Sequence, residues 1–235
     1  TAINRIAREF EIEKDLVERL RQLRNYEIVV VCDDSGSMLT PVDNSQRTRW
    51  NELCDIVKII LKIGVIFDSN GVDIYFLNRQ PMLRVKDPRT VEQEFETLPC
   101  GYTPLVPTLR EIFESNLATE VHRDKKLLVF VATDGLPTND DGETNLEELV
   151  DVMNVTRRID RTYVSFLLCT DDPVVVKVFN NWDRTMVNVD VTDDYHTERE
   201  KIRRVGRLNR PFSRGDYVVK ALLGAIDPTI DNWND

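Results

Sequence analysis

Histidine and cysteine are scarce, at two and four in 235 residues. That scarcity limits the available chemistry. A serine nucleophile needs a base within hydrogen-bond reach. His122 precedes a predicted strand and should sit at the far edge of a sheet, while His196 follows the last strand, away from the centre. No cysteine pair has zinc-ligand spacing. Cys32 and Cys169 lie in apolar runs and Cys54 in an apolar helix, so they read as buried small hydrophobes, not as a disulfide framework. An intracellular (cytoplasmic) location is the matching expectation. Long apolar runs are also missing. The most apolar stretch, 56–67, is broken by Lys58 and Lys62, so membrane insertion is not expected. Basic residues are in deficit, with 31 Lys and Arg against 41 Asp and Glu and a net charge of −10. Nucleic acid is therefore not the expected ligand. The sequence contains no P-loop, dinucleotide fingerprint or G-x-S-x-G elbow. No signal-peptide pattern opens it, and a chain starting at Thr1 is expected to belong to a larger protein or assembly.

The remainder is ordinary globular material, 41% hydrophobic and 31% charged, long enough for a sizeable core. Strands alternate with helices, which signals a parallel sheet covered on both faces. Residues 1–24 read as helix, with Leu16, Leu20 and Leu23 on one face. Strands are expected at 26–32, 72–77, 82–86, 126–132, 162–169 and 186–191. The connection into 82–86 is too short for a helical crossover, so that strand should run antiparallel at an edge. Helices are expected at 49–63, near Val91, and at 107–117, 146–159, 174–181, 198–205 and 216–225. In 49–63 the polar residues Asn51, Asp55, Lys58 and Lys62 form one narrow stripe, so the rest should be buried. In 216–225, Val218, Ala221, Leu222 and Ala225 should pack on one side. The basic run from Arg199 to Arg214, through Lys201, Arg203, Arg204, Arg207 and Arg210, reads as a solvated face paired with acidic residues; a docking patch for an acidic partner is the alternative. Asn154-Val155-Thr156 is a glycosylation sequon within a helical pattern and reads as coincidence. No linker or repeat divides the chain.

Three segments follow a strand or open a helix, which should put them at the carboxyl edge of the sheet, where open α/β sheets bind ligands. They are Asp33-x-Ser35-x-Ser37, Thr103 in Gly-Tyr-Thr-Pro-Leu, and Asp134 in Thr-Asp-Gly. Together they offer three hydroxyls and two carboxylates. All are hard oxygen donors, suited to Mg²⁺ or Mn²⁺ rather than Zn²⁺ or Cu²⁺.

DxSxS, then a lone threonine in G-x-T-P-L, then T-D-G, resembles the metal-ion-dependent adhesion site of von Willebrand factor A and integrin I domains, from about Tyr26 to Val191. The resemblance implies a three-layer, Rossmann-like α/β fold with a mostly parallel six-stranded sheet and one antiparallel edge strand. It implies one domain over 1–235, with an N-terminal extension at 1–25, a core at 26–191 and C-terminal helices at 192–235. It also implies that Ser35 and Ser37 bind the metal directly, Thr103 directly or through water, and Asp33 and Asp134 largely through water. A dication held by neutral hydroxyls keeps much of its charge, and in the family it attracts a Glu or Asp side chain of a partner protein. Met38, Tyr102 and Asn139 are the expected partner-binding rim. The family often has a second glycine where this chain has Tyr102, whose ring either rims the site or packs the loop.

Asp34 should point away from the metal, because neighbours in extended chain face opposite ways. Asp171 and Asp172 read as helix caps. The loop 139–143 reads as solvated and acidic, with a second cation as the alternative. The expected function is a non-enzymatic, metal-dependent protein-interaction module. The alternatives are a scaffold with a structural or vestigial metal, and, less favoured, a metal-assisted hydrolase.

Overall fold

The β-branched run Tyr26–Cys32 forms strand β1, and all of it but Glu27 is buried. The equally apolar Lys126–Thr133 forms β4 beside it. Burying each such Val, Leu or Ile contributes about 1.5–3 kcal/mol, which is why these strands take the centre. The computed structural model describes residues 1–119, 124–206 and 208–233; His122 and Arg207 lie outside the described residues. The other strands are β2 (Val72–Phe76), β3 (Met82–Val85), β5 (Thr162–Leu168) and β6 (Val189–Thr192). They make one six-stranded sheet in the order β3-β2-β1-β4-β5-β6. Only the β2–β3 pair is antiparallel, at the edge where the short connection requires it.

Helices cover both faces: α1 (Ala2–Glu9), α2 (Lys14–Arg19), α3 (Arg49–Phe67), α4 (Pro88–Phe95), α5 (Leu105–Glu114), α6 (Asn116–Thr119), α7 (Leu146–Asp151), α8 (Pro173–Thr185), α9 (Tyr195–Val205) and α10 (Arg214–Leu223). Ile28, Val30 and Cys32 of β1 face a core built with α2, α3 and α10. Val29 and Val31 face the other core, built with α5, α7 and α8. α3 begins on a reciprocal capping box between Thr48 and Asn51 and keeps its predicted polar stripe. No helix among the described residues is long and apolar enough to cross a membrane.

Tertiary contacts override local pattern in four places. The N-terminal helix breaks at Phe10–Glu13, where Ser213 Oγ donates to the carbonyls of Phe10 and Glu11 and Asp216 accepts from Glu13 N at 2.6 Å. The helix expected over 146–159 stops at Asp151 and widens into one π-type turn, Val152–Thr156. Buried Arg157 closes that turn by donating to the carbonyls of Met153, Thr162 and Val187 at 3.0, 2.9 and 2.9 Å. α8 runs on to Thr185, so the last strand starts three residues later than expected. α10 is buried all round and not on one side: Gly215 to Leu223 are all covered. Its charged residues are paired, Asp216 with Arg210 at 2.8 Å and Lys220 with Glu198 at 3.2 Å.

The described part of the 199–214 run is mostly paired with acidic residues: Lys201 with Asp193 and Glu198, Arg203 with Glu200, Arg210 with Glu13 and Asp216, Arg214 with Glu52.

Candidate metal centre

β1 is entered into the sheet between β2, which follows it, and β4, which is added on its other side; the order reverses there. Loops leaving the carboxyl ends of β1 and β4 diverge at such a point and leave a crevice. The register pairs Cys32 with Ala132, so Asp33 and Asp134 emerge side by side. Asp33 N donates to Ala132 O at 3.0 Å, which carries the sheet pairing one residue into the loop.

The third segment is stitched to both. Gly36 N donates to Gly101 O at 3.1 Å, and Cys100 N to Asp34 O at 2.8 Å. Thr103 N donates to Thr138 Oγ1 at 2.9 Å, and Thr103 O accepts from Thr138 N at 2.9 Å. A Cβ placed on Gly135 would stand 4.0 Å from Thr103 Oγ1, so that hydroxyl faces the β4 loop. Asp33, Ser35, Ser37, Thr103 and Asp134 therefore converge in one place, as their positions after strands and before a helix predict.

A hydrogen-bond chain links four of them, Asp33, Ser35, Ser37 and Asp134. Ser35 and Ser37 hydroxyls are 3.1 Å apart, and Ser37 Oγ donates to Asp134 Oδ1 at 2.8 Å. Asp33 accepts from Ser35 N at 2.9 Å and from Thr133 Oγ1 at 2.7 Å. Asp33, Ser35, Thr103 and Asp134 are buried, whereas Ser37 is exposed, so the cluster opens to solvent at Ser37. Burial, and then the nearby Asp134 charge, push the Asp33 carboxyl up to about 6, against the hydrogen bonds from Ser35 and Thr133 that lower it. Two buried carboxylates joined by hydroxyls form a hard-oxygen donor set that would suit a dication. Among the described residues, no group of three or more His, Cys, Asp or Glu side chains could hold a metal, so any centre here depends on the hydroxyls. That also leaves the loop 139–143 without a second cation site of that kind.

Arg49 was not anticipated. Its Nη1 donates to Asp134 Oδ2 at 2.9 Å, and its Nη2 lies 3.5 Å from Thr170 Oγ1. It forms one wall of a polar cleft of about 140 Å³ that Glu52, Thr170, Asp171, Tyr195 and His196 also line. His196 thus stands on the cleft rather than far from the centre, and it contacts Arg199 and no serine of the cluster.

The rim differs from expectation at Met38. The turn Gly36–Leu39 rotates Met38 into the core, fully buried, and Leu39 takes the exposed position instead. Tyr102 is 55% exposed. A Cβ on Gly142, which has φ +81°, would come within 2.8 Å of the Tyr102 ring, so the ring both packs on the 139–143 loop and faces solvent. Asn139 is half-buried, and its side-chain oxygen accepts from Asp141 N and Glu143 N, shaping that loop. Asp34 points away, as expected, but into the protein: it is buried and accepts from Leu77 N, Asn78 N and Arg79 Nε. Asp172 caps α8 through Val174 N, whereas Asp171 lines the cleft. All four cysteines are free, Cys32 is buried while Cys169 lines the cleft, and burial pushes both thiols well up.

No family model matches the sequence, and no curated protein matches it. Solved structures do. The pilus adhesin SpaC from Lactobacillus rhamnosus GG is 13% identical, with a TM-score of 0.50 over 89% of this chain and 31% of the adhesin. Proximal thread matrix protein 1 of the mussel byssus, solved with a zinc-occupied MIDAS (metal-ion-dependent adhesion site) motif, is 16% identical, with a TM-score of 0.47 over 73% of this chain and 44% of its own. Manganese-loaded TRAP protein of Plasmodium vivax is 16% identical, with a TM-score of 0.46 over 72% and 69%. The chain thus spans less than half of the mussel protein and about a third of the adhesin. At such identities the likeness is one of fold, and that fold is the mostly parallel α/β sheet of the von Willebrand factor A type, with one antiparallel edge strand and helices on both faces.

Proposed function

We propose that this chain is a non-enzymatic interaction module that binds an acidic side chain of a partner protein through one divalent cation, Mg²⁺ or Mn²⁺. The observation that supports this most is the convergence of Asp33, Ser35, Ser37, Thr103 and Asp134 at the sheet's switch point, open to solvent at Ser37. In this reading Ser35, Ser37 and Thr103 hold the metal and the two aspartates balance its charge. The metal supplies an open coordination position for a carboxylate. Leu39, Tyr102 and the loop at Asn139 contact the partner around it. Residues 1–235 act as one domain of a larger intracellular assembly, a setting in keeping with four free thiols. Among the described residues no histidine is bonded to Ser35 or Ser37, and the carboxylate that accepts from Ser37, Asp134, is itself paired with Arg49, which favours this reading over an esterase or protease.

A second reading has a specific observation in its favour. Arg49 already neutralises Asp134, so the cluster could be a polar scaffold element with no metal. Affinity capture separates the two. Wild type with Mg²⁺ should recover partners that are lost with EDTA and with Asp33→Ala. Identical recovery in all three would sink the metal-contact reading and leave the scaffold.

A further inference from the structure

Arg49 occupies a position that local preference disfavours. It is the first residue of α3, where the helix dipole presents positive charge and acidic side chains are preferred. Its side chain nevertheless folds back over the sheet edge and is only 20% exposed. One nitrogen is committed to Asp134 at 2.9 Å, and a second makes only a long contact, 3.5 Å, with Thr170. An arginine has five N–H donors in a planar fork, so capacity is left on the side facing the cleft. Asp134 meanwhile bridges Arg49 and Ser37, which joins the guanidinium directly to the proposed ligand set.

Charge arithmetic gives that placement a consequence. A dication (+2) with Asp33 and Asp134 (−1 each) sums to zero, and a neutral centre exerts little pull on an external carboxylate. Adding Arg49 (+1) leaves the loaded centre at +1. The same positive charge that weakens binding of the bare metal strengthens binding of a carboxylate to the loaded centre. We infer that Arg49 is a specificity-determining residue: it makes cation binding depend on an incoming carboxylate and grips that carboxylate from the cleft side. This rests on the proposed metal centre. The incoming group would be a carboxylate, held by the guanidinium fork of Arg49 and drawn by the charge of the cation.

The test uses Mn²⁺ as the metal and acetate as the probe, with free Mn²⁺ followed by electron paramagnetic resonance and corrected for acetate–Mn²⁺ association. Wild type should bind Mn²⁺ weakly, and acetate should tighten that binding several-fold. Arg49→Met should bind Mn²⁺ alone about tenfold more tightly, with the acetate enhancement cut several-fold. Arg49→Lys, which keeps the charge without the fork, should keep the weak metal binding and lose part of the enhancement. Arg49→Gln replaces the Met variant should that one fail to fold by circular dichroism. If the variants bind Mn²⁺ as wild type does, with the same acetate enhancement, Arg49 is only a structural ion pair and the inference fails while the metal centre stands. If wild type binds no Mn²⁺ with or without acetate, the metal reading itself falls.

Discussion

Asp33 and Asp34 are adjacent and both fully buried, yet the fold uses them in opposite directions. Asp33 faces the hydroxyl cluster. Asp34 turns toward the β2 end, where it ties down two backbone amides and the Arg79 guanidinium, 2.9 Å away. Removing the Asp34 carboxylate leaves the Leu77 and Asn78 amides without their acceptor, while Arg79 keeps Glu94 at 3.2 Å, so Asp34→Ala should cost about 2–4 kcal/mol in denaturant unfolding. The metal-induced stabilisation should survive it; its loss would place Asp34 in the centre. At the rim, Leu39→Ala and Tyr102→Ala should weaken partner capture, while the Leu39 change alters stability by no more than about 0.5 kcal/mol. Unchanged capture by both would remove the rim assignment. The clustering of Asp33, Ser35, Ser37 and Asp134 was legible because hydroxyls and carboxylates recur just past buried strands, where side chains must face a crevice. Met38 and Leu39 were not separable, since a one-residue rotation of a short turn decides which is buried. Arg49 gave no local signal at all: its role comes from Asp134, which is 85 residues away in sequence.

At the scale of elements, the six strands and the antiparallel edge followed from apolar runs and connection lengths. The errors lie where one buried polar residue redirects the chain. Arg157 is the clearest case. Burial lowers its guanidinium to about 10, and three carbonyls hold it at the end of the π-type turn, between α7 and β5. Arg157→Met should leave those carbonyls short of donors and cost about 3 kcal/mol, read from the denaturation midpoint at constant slope. A loss below about 1 kcal/mol would mean water replaces the side chain easily. The burial of α10 was also under-read, because a pattern of apolar residues on one side cannot reveal that Asp216 and Lys220 are paired inside. A Cβ on Gly224, just past this helix, would fall 2.0 Å from Asp190 Oδ2 of β6. Gly224→Ala should therefore destabilise strongly by pushing the end of α10 off the sheet, and a neutral melt would show that the contact yields.

For the whole molecule, acid stability rests on carboxylates held low. Burial raises the Glu198 carboxyl, but Lys220 and Lys201 outweigh it and hold the group below its ordinary 4.5. Asp227 is likewise held below 3.8, because bonds from Thr229, Gln22 and Arg19 outweigh burial. A depressed folded-state pKa contributes stability that is complete above the unfolded value and is lost as pH falls through the folded one. Wild type should therefore lose stability below about pH 4. Glu198→Gln should be weaker at pH 7 and show a shallower acid slope, and an unchanged slope would mean Glu198 is not part of the acid response. The proposed function is also a whole-molecule property, since a cation that binds only the folded state must stabilise all of it. Its most direct test is a thermal melt of wild type and Asp134→Ala in Mg²⁺, Mn²⁺ and EDTA, with and without acetate. At a hundred times the dissociation constant, the metal should add about 2.7 kcal/mol, or roughly 5–10 °C in Tm, to wild type and nothing to Asp134→Ala. Equal melting temperatures for wild type in every condition would contradict the account and leave a scaffold in which Arg49 serves in place of a metal.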